Sequence, residues 1–296
     1  MQRENIRGVM LMTLSSLVFC GMGAMIKLIA YVDSYKTSLL RFMVGMAVLS
    51  TGAMAGRLHL QFVNKPLLFL RGLCGGTAVF IAFWSIAHLG MGKSTVIIYT
   101  YPIFAAMGSA FFLRERLGAA KISCIVLALL GMVLLISERS NTSIQGGEMT
   151  AVMVAIIGAV LSGSAVVMVK KLHDTDSSYA IFFAQCLIGF WLVIIPSNTA
   201  HGDLNLRACM ILIGVGVTAA IGQLMMTEAY HFISVTTGSL ITLVTPVGSL
   251  IIGTMVFGEM MGIRAVIGSL IIVVACSAMI WVDKNRGKIN LKHRSE

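Results

Sequence analysis

The chain has 296 residues, of which 57% are hydrophobic and only 11% charged, with a formal net charge of +10. A soluble domain carries about 25% charged residues, so too few charges are present to cover a water-exposed surface of this size, and lipid must replace water over most of the exterior. The basic excess sits in short caps between apolar runs and no aromatic–basic module accompanies it, which argues against nucleic acid as a partner.

A bilayer core about 30 Å thick takes about 20 helical residues. Stretches of that order follow one another at 8–30, 35–55, 66–87, 94–113 and 119–137, then at 149–169, 179–197, 208–229, 235–257 and 263–282. The expected fold is therefore an all-α integral membrane protein of ten transmembrane helices. A membrane barrel would alternate in polarity along each segment, whereas these runs are apolar on every face. Short connections make neighbouring helices antiparallel. The six cysteines, Cys20, Cys74, Cys124, Cys186, Cys209 and Cys276, form no CxxC and no Cys/His metal spacing. Neither a disulfide, a metal site nor a cofactor is expected.

Orientation follows from the Lys/Arg bias. One side holds Arg3, Arg7, Arg57, Lys65, Arg114, Arg116, Lys121, Lys170, Lys171 and the basic tail at 283–296; the other holds Lys36, Lys93, Arg139, Arg207 and Arg264. Both termini are then cytoplasmic, and an even number of spans agrees.

The chain matches itself at an offset of 144 residues. Lys27-Leu28 corresponds to Lys171-Leu172, Ser34-Tyr35 to Ser178-Tyr179, Gly45 to Gly189, Pro102 to Pro246, Glu115 to Glu259 and Gly118 to Gly262. Repeats at 7–137 and 149–282 each hold five spans. An odd number forces the second to enter the membrane upside down, the architecture of alternating-access carriers with a midplane site.

Intramembrane charges default to functional hypotheses. Arg41, about two turns into the second span, can attract a carboxylate or snorkel to the headgroups; its repeat partner is Gln185. Trp84 can stack on a substrate, and its repeat partner Glu228 can hold a cationic group or relay protons, with Gln223 more than one turn before it. Thr95, Tyr99 and Pro102 share a face at helical spacing, and Ser239 is the counterpart of Thr95. Pro102 and Pro246 each remove a backbone hydrogen bond and kink a span, freeing carbonyls near Ile98 and Thr242. The candidate substrate site is thus Arg41, Trp84, Thr95, Tyr99, Gln223, Glu228, Ser239 and Thr242, with Pro102 and Pro246 as helix kinks. Lys27, Lys171 and Arg71 read as interface anchors. Glu115 and Glu259 read as structural carboxylates favouring the N-terminus of the span that follows each. Gly72, Gly75 and Gly76 point to close helix packing.

The segments Tyr99-Thr-Tyr-Pro102 through Leu113-Arg-Glu-Arg-Leu-Gly118, and Leu243-Val-Thr-Pro246 through Phe257-Gly-Glu-Met-Met-Gly262, resemble the signature of the EamA family of the drug/metabolite transporter superfamily: a proline in the fourth span of each repeat, then a glutamate and a glycine opening the fifth. Arg41-Phe42 and Arg71-Gly72 resemble one branch of it. The resemblance covers residues 7 to 282. It implies that spans 1–4 and 6–9 surround a cavity, with 5 and 10 peripheral, and that small metabolites such as amino acids are transported, often outward. Phe19-Cys20-Gly21 departs from the tryptophan–glycine pair of many relatives. Uptake of a cofactor-like metabolite such as S-adenosylmethionine or riboflavin is the alternative. A membrane enzyme would need clustered His, Asp or Glu, and a channel a charged ring or filter loop; neither pattern is present. The expected localisation is the bacterial inner membrane. A small-molecule substrate is expected as partner, and a homodimer and a coupling ion (proton or sodium) are left open.

Overall fold

The computed structural model describes residues 2–29, 31–115, 117–137, 148–199, 205–258 and 262–292. Glu259, and with it the second half of the Glu/Gly signature, lies outside them. The described residues form helices α1 (Gln2–Leu28), α2 (Ser34–Met54), α3 (Lys65–Ile98), α4 (Tyr101–Phe112), α5 (Ala119–Ser137), α6 (Glu148–Leu172), α7 (Ser178–Thr199), α8 (Leu206–Phe232), α9 (Val235–Ile241), α10 (Val244–Phe257) and α11 (Ile263–Lys292). Among them nine apolar segments are long enough to cross a bilayer, and Ala119–Leu135 is a shorter apolar helix.

The outer surface is apolar. Met10, Leu14 and Leu17 on α1, Ile122, Val126, Leu130 and Val133 on α5, and Ile267, Leu270 and Val274 on α11 are all exposed at helical spacing. Stripes this extensive do not face water in a soluble monomer. They fit a bilayer, and the protein is an integral membrane protein.

Inside, packing pairs the two halves of the chain. The helix α1 packs on α8, and α3 on α6; α2 packs on α8, and α3 on α7; α4 packs on α6, and α1 on α10. Three further pairs are α2 with α7, α4 with α9, and α5 with α11.

Small residues bring these backbones together. A Cβ added at Gly76 would lie 3.0 Å from Gly189 Cα, and one at Gly72 2.7 Å from the Ala184 carbonyl oxygen, so α3 and α7 meet backbone to backbone. Gly131 and Gly268 do the same for α5 and α11: a Cβ on either would come within 2.8 Å of the other's carbonyl oxygen. Bare helical surfaces of this kind supply the van der Waals contact that lipid-immersed helices need.

Two helical paths are interrupted, and one corner falls elsewhere than expected. The segment 88–93, read from sequence as the connection between spans, stays helical in α3; the break comes at Tyr99–Thr100. Pro102 has no N–H to return to Ile98, and the Thr100 hydroxyl instead donates to the Ile97 carbonyl at 2.6 Å. The second interruption, Thr242–Leu243, divides α9 from α10 just ahead of Pro246. At the C-terminus α11 runs on through Val282 to Lys292, into the segment read as the basic tail.

Candidate substrate site

The polar interior is built around these breaks. Helix α9 is buried along its whole length, although it is only seven residues long and rich in threonine and serine. Its exposed-end donors are met by side chains. Glu115 accepts from the Val235 backbone N–H at 2.9 Å and from the Thr236 hydroxyl at 3.1 Å, while Ser234 accepts from the Thr237 N–H at 3.2 Å. Asp283 accepts from Ser234 at 3.2 Å and from the Thr237 hydroxyl, and pairs with Lys121 at 2.6 Å. A carboxylate at a helix N-terminus matches the positive end of its dipole. Glu115 thus caps α9, across the bundle, rather than the α5 helix that follows it in sequence.

The other end of α9 meets α4. The Tyr101 hydroxyl lies 3.3 Å from the Ser239 carbonyl oxygen, to which it donates, and is also hydrogen-bonded to the Thr242 hydroxyl. Thr242 itself donates to the Ser239 carbonyl at 2.7 Å, and the Ser239 hydroxyl to the Thr236 carbonyl at 3.1 Å. Ser239 and Thr242 are both buried. Tyr99 stands with its ring centroid 6.4 Å from that of Tyr101, and Thr95 lies one turn before it, its carbonyl accepting the Tyr99 N–H.

Helix α8 turns Gln223, Thr227 and Tyr230, spaced four and three residues apart, into the same interior; all three are buried. The Tyr230 ring lies against the bare backbone of Gly238 in α9, where a Cβ would approach it to 2.5 Å. Among the described residues the Tyr230 hydroxyl makes no hydrogen bond of good geometry, and the Tyr101 hydroxyl is its neighbour.

Beside Tyr230 is a group that sequence reasoning placed elsewhere. Arg71, read as an interface anchor, is only 2% exposed. Its Nη2 donates to Gln185 Oε1 on α7 at 2.9 Å, whereas Nε and Nη1 have no partner. The guanidinium folds over Gly75, one turn on, where a Cβ would sit 1.9 Å from Nη1. The tight α3–α7 approach at Gly72, Gly76 and Gly189 carries Arg71 across to Gln185. The one signal in the sequence was the glycine four residues after the arginine, which leaves the guanidinium a seat on its own helix.

The remaining candidates scatter. Arg41 is half-buried in α2, on the face continued by Gly45, which abuts Cys186 of α7. Trp84 stacks on the exposed His88 with centroids 3.9 Å apart and packs against Leu89, Ala151 and Ala155, which places it at the α3–α6 contact and apart from the Arg71–Tyr230 group. Glu228 accepts from the Ser178 hydroxyl at the start of α7 at 2.6 Å, so it faces an end of the bundle. There it belongs to a cluster with His173, whose Nε2 is hydrogen-bonded to the Thr227 carbonyl at 2.7 Å, and His231, 5.2 Å from the His173 ring. Lys170 closes this end by donating to the Tyr230, His231 and Ile233 carbonyls at 2.7–3.1 Å, capping α8. Burial holds the His173 imidazole below the usual histidine range, against the opposing pull of its Thr227 hydrogen bond. Among the described residues no three His, Cys, Asp or Glu side chains converge as metal ligands would.

This fold has known counterparts. A solved protein structure, 17% identical, superposes with a TM-score of 0.80, covering 93% of this chain and 97% of that one. The pseudopaline exporter CntI of Pseudomonas aeruginosa is 26% identical over 280 residues, covering 94% of this chain and 97% of its own. An uncharacterized transporter of Archaeoglobus fulgidus is 28% identical over 240 residues, covering 78% and 82%. The riboflavin transporter of Vibrio cholerae is 25% identical over 152 residues, about half of each chain. The model of the EamA-like transporter family matches twice, over residues 6–137 and 149–281. The chain therefore belongs to the EamA-like transporter family.

Proposed function

We propose that the protein is a secondary carrier of small metabolites, amino acids or related compounds, moving them outward across a bacterial inner membrane by alternating access. The observation that carries this reading is the buried polar interior at the broken helix: Tyr101, Tyr230, Ser239 and Thr242 converge where α9 gives way to α10. Irregular backbone at membrane depth is tolerated where it lines a cavity, and carriers use such discontinuous helices for binding.

The packing supports two inverted repeats, 7–137 and 149–282, within ten spans. Exchanging the halves turns the α1–α8 contact into α6–α3, α2–α8 into α7–α3, and α4–α6 into α10–α1, while the α2–α7 and α5–α11 pairs map onto themselves. Pro102 and Pro246 then take equivalent places beside the two breaks and serve as hinges when one repeat rocks against the other. Both termini are cytoplasmic by the Lys/Arg bias. Energy for uphill movement comes from exchange or a proton or sodium gradient. Tyr99, Thr95 and Gln223 border the substrate; Trp84 and Glu228 stand toward its exits.

Outward transport is favoured by the likeness to an exporter over nearly the whole chain. Uptake of a cofactor-like metabolite is the second reading, favoured by the shorter likeness to a riboflavin transporter. The test is purified protein in proteoliposomes loaded with labelled amino acids, S-adenosylmethionine or riboflavin. Saturable flux that Tyr101→Phe slows about 10-fold is expected; liposomes no leakier than protein-free controls for every solute would sink the carrier assignment.

A further inference from the structure

We propose that Arg71, backed by Arg41, binds a carboxylate of the transported solute, so that the substrate is an organic anion or zwitterion rather than a cation or a neutral heterocycle. This rests on the carrier reading above. A guanidinium stays protonated in proteins, so Arg71 carries its charge although it is 2% exposed. Gln185 engages only Nη2; Nε and both Nη1 hydrogens, three of the five N–H donors, have no acceptor. A buried charge is disfavoured until it is paired and hydrogen-bonded.

Among the described residues no carboxylate is paired with Arg71. The helices α2, α3 and α7 contain no Asp or Glu. Cys74, Cys186 and Tyr230 lie near Arg71, and Cys186 lies near Arg41. Glu115 reaches Tyr230 electrostatically but is held by the α9 N-terminus. Arg41 stands seven residues into α2 and Arg71 six residues into α3. Both arginines lie near Cys186 of α7. A carboxylate there receives charge-assisted hydrogen bonds from the open donors of Arg71, with the Tyr230 hydroxyl near the same guanidinium. Gly75 is part of the site, because only the absent side chain leaves Nη1 its seat.

The experiment is a thermal-shift and proteoliposome-flux comparison of glutamate, aspartate, histidine and citrate, each against its methyl ester or amide. The proteins are the full chain, Arg71→Met and Gly75→Ala, all in lipid-free detergent for the binding arm. The expected result is stabilisation by acids and not by their masked partners, with affinity lowered about 10- to 100-fold by Arg71→Met and lowered also by Gly75→Ala, which keeps the charge but displaces it. Without ligand, Arg71→Met is expected to melt at or above the temperature of the unaltered protein, since it removes an unpaired buried charge; a purely structural arginine would give the reverse. Masked solutes that bind and move as well as the acids, or acid selectivity surviving in Arg71→Met, would overturn the anion site and leave the carrier standing. Stabilisation only on adding phosphatidylglycerol would assign the arginine to a lipid headgroup and overturn it as well. No flux of any solute, acid or masked, would remove both.

Discussion

Burial of the His173 imidazole at the α6–α7 corner gives the protein a pH dependence whose sign can be worked out. Its pKa is depressed in the folded chain, whereas an unfolded histidine titrates near 6.5. Between those values the unfolded chain binds more protons, so stability is full above about pH 6.5 and falls as pH drops below it. Charge on His231 and Lys170 opposes protonation of the same ring, and Glu228 favours it. Melting curves in detergent from pH 7.5 to 5.5 should show the midpoint falling, and His173→Gln should flatten the slope; an unchanged slope would remove His173 as the cause. Among single residues the sequence could place serines and threonines near the breaks by helical spacing. It could not separate Arg71 from Arg41. Both are arginines two turns inside an apolar run, and only the neighbouring helix decides which one is sealed in.

Helix α9 depends on caps that come from elsewhere in the chain. Seven residues are too few to be helical alone, and Glu115 holds its first two positions. Glu115→Ala should destabilise the protein by about 0.5–2 kcal/mol and raise hydrogen exchange at 235–241 above that of α8. Equal exchange in the two would show that burial alone holds α9. Beside that same end of α9, Lys170→Met removes three hydrogen bonds to carbonyls at the C-terminus of α8. Fraying confined to 229–233 is the expected exchange signature, and a change spread along all of α8 would contradict it. The breaks at Tyr99–Thr100 and Thr242–Leu243 were legible as prolines. The helical continuity of 88–93 was not, because local polarity and glycine content read as a corner.

For the whole molecule, the α5–α11 pair offers a direct test of packing in lipid. Gly131 and Gly268 face each other's carbonyl oxygens too closely for any side chain. Gly268→Val should therefore destabilise by about 1–3 kcal/mol, read as a lower detergent melting point, while Val274→Leu on the exposed face should be neutral. Equal effects at the two sites would mean that this pair does not pack as described.

The sequence alone determined the membrane class, nine apolar spans to within a few residues, and the family, because each depends on local composition and on motifs whose spacing is written in the chain. Tertiary structure decided which polar groups meet. Glu115 serves a helix about 120 residues away, Arg71 is paired by a glutamine 114 residues on, and Glu228 turns out to the bundle end. The physical reason is that helical periodicity states which face a residue occupies but not what that face is packed against. That partner is chosen by the long-range glycine contacts between halves of the chain.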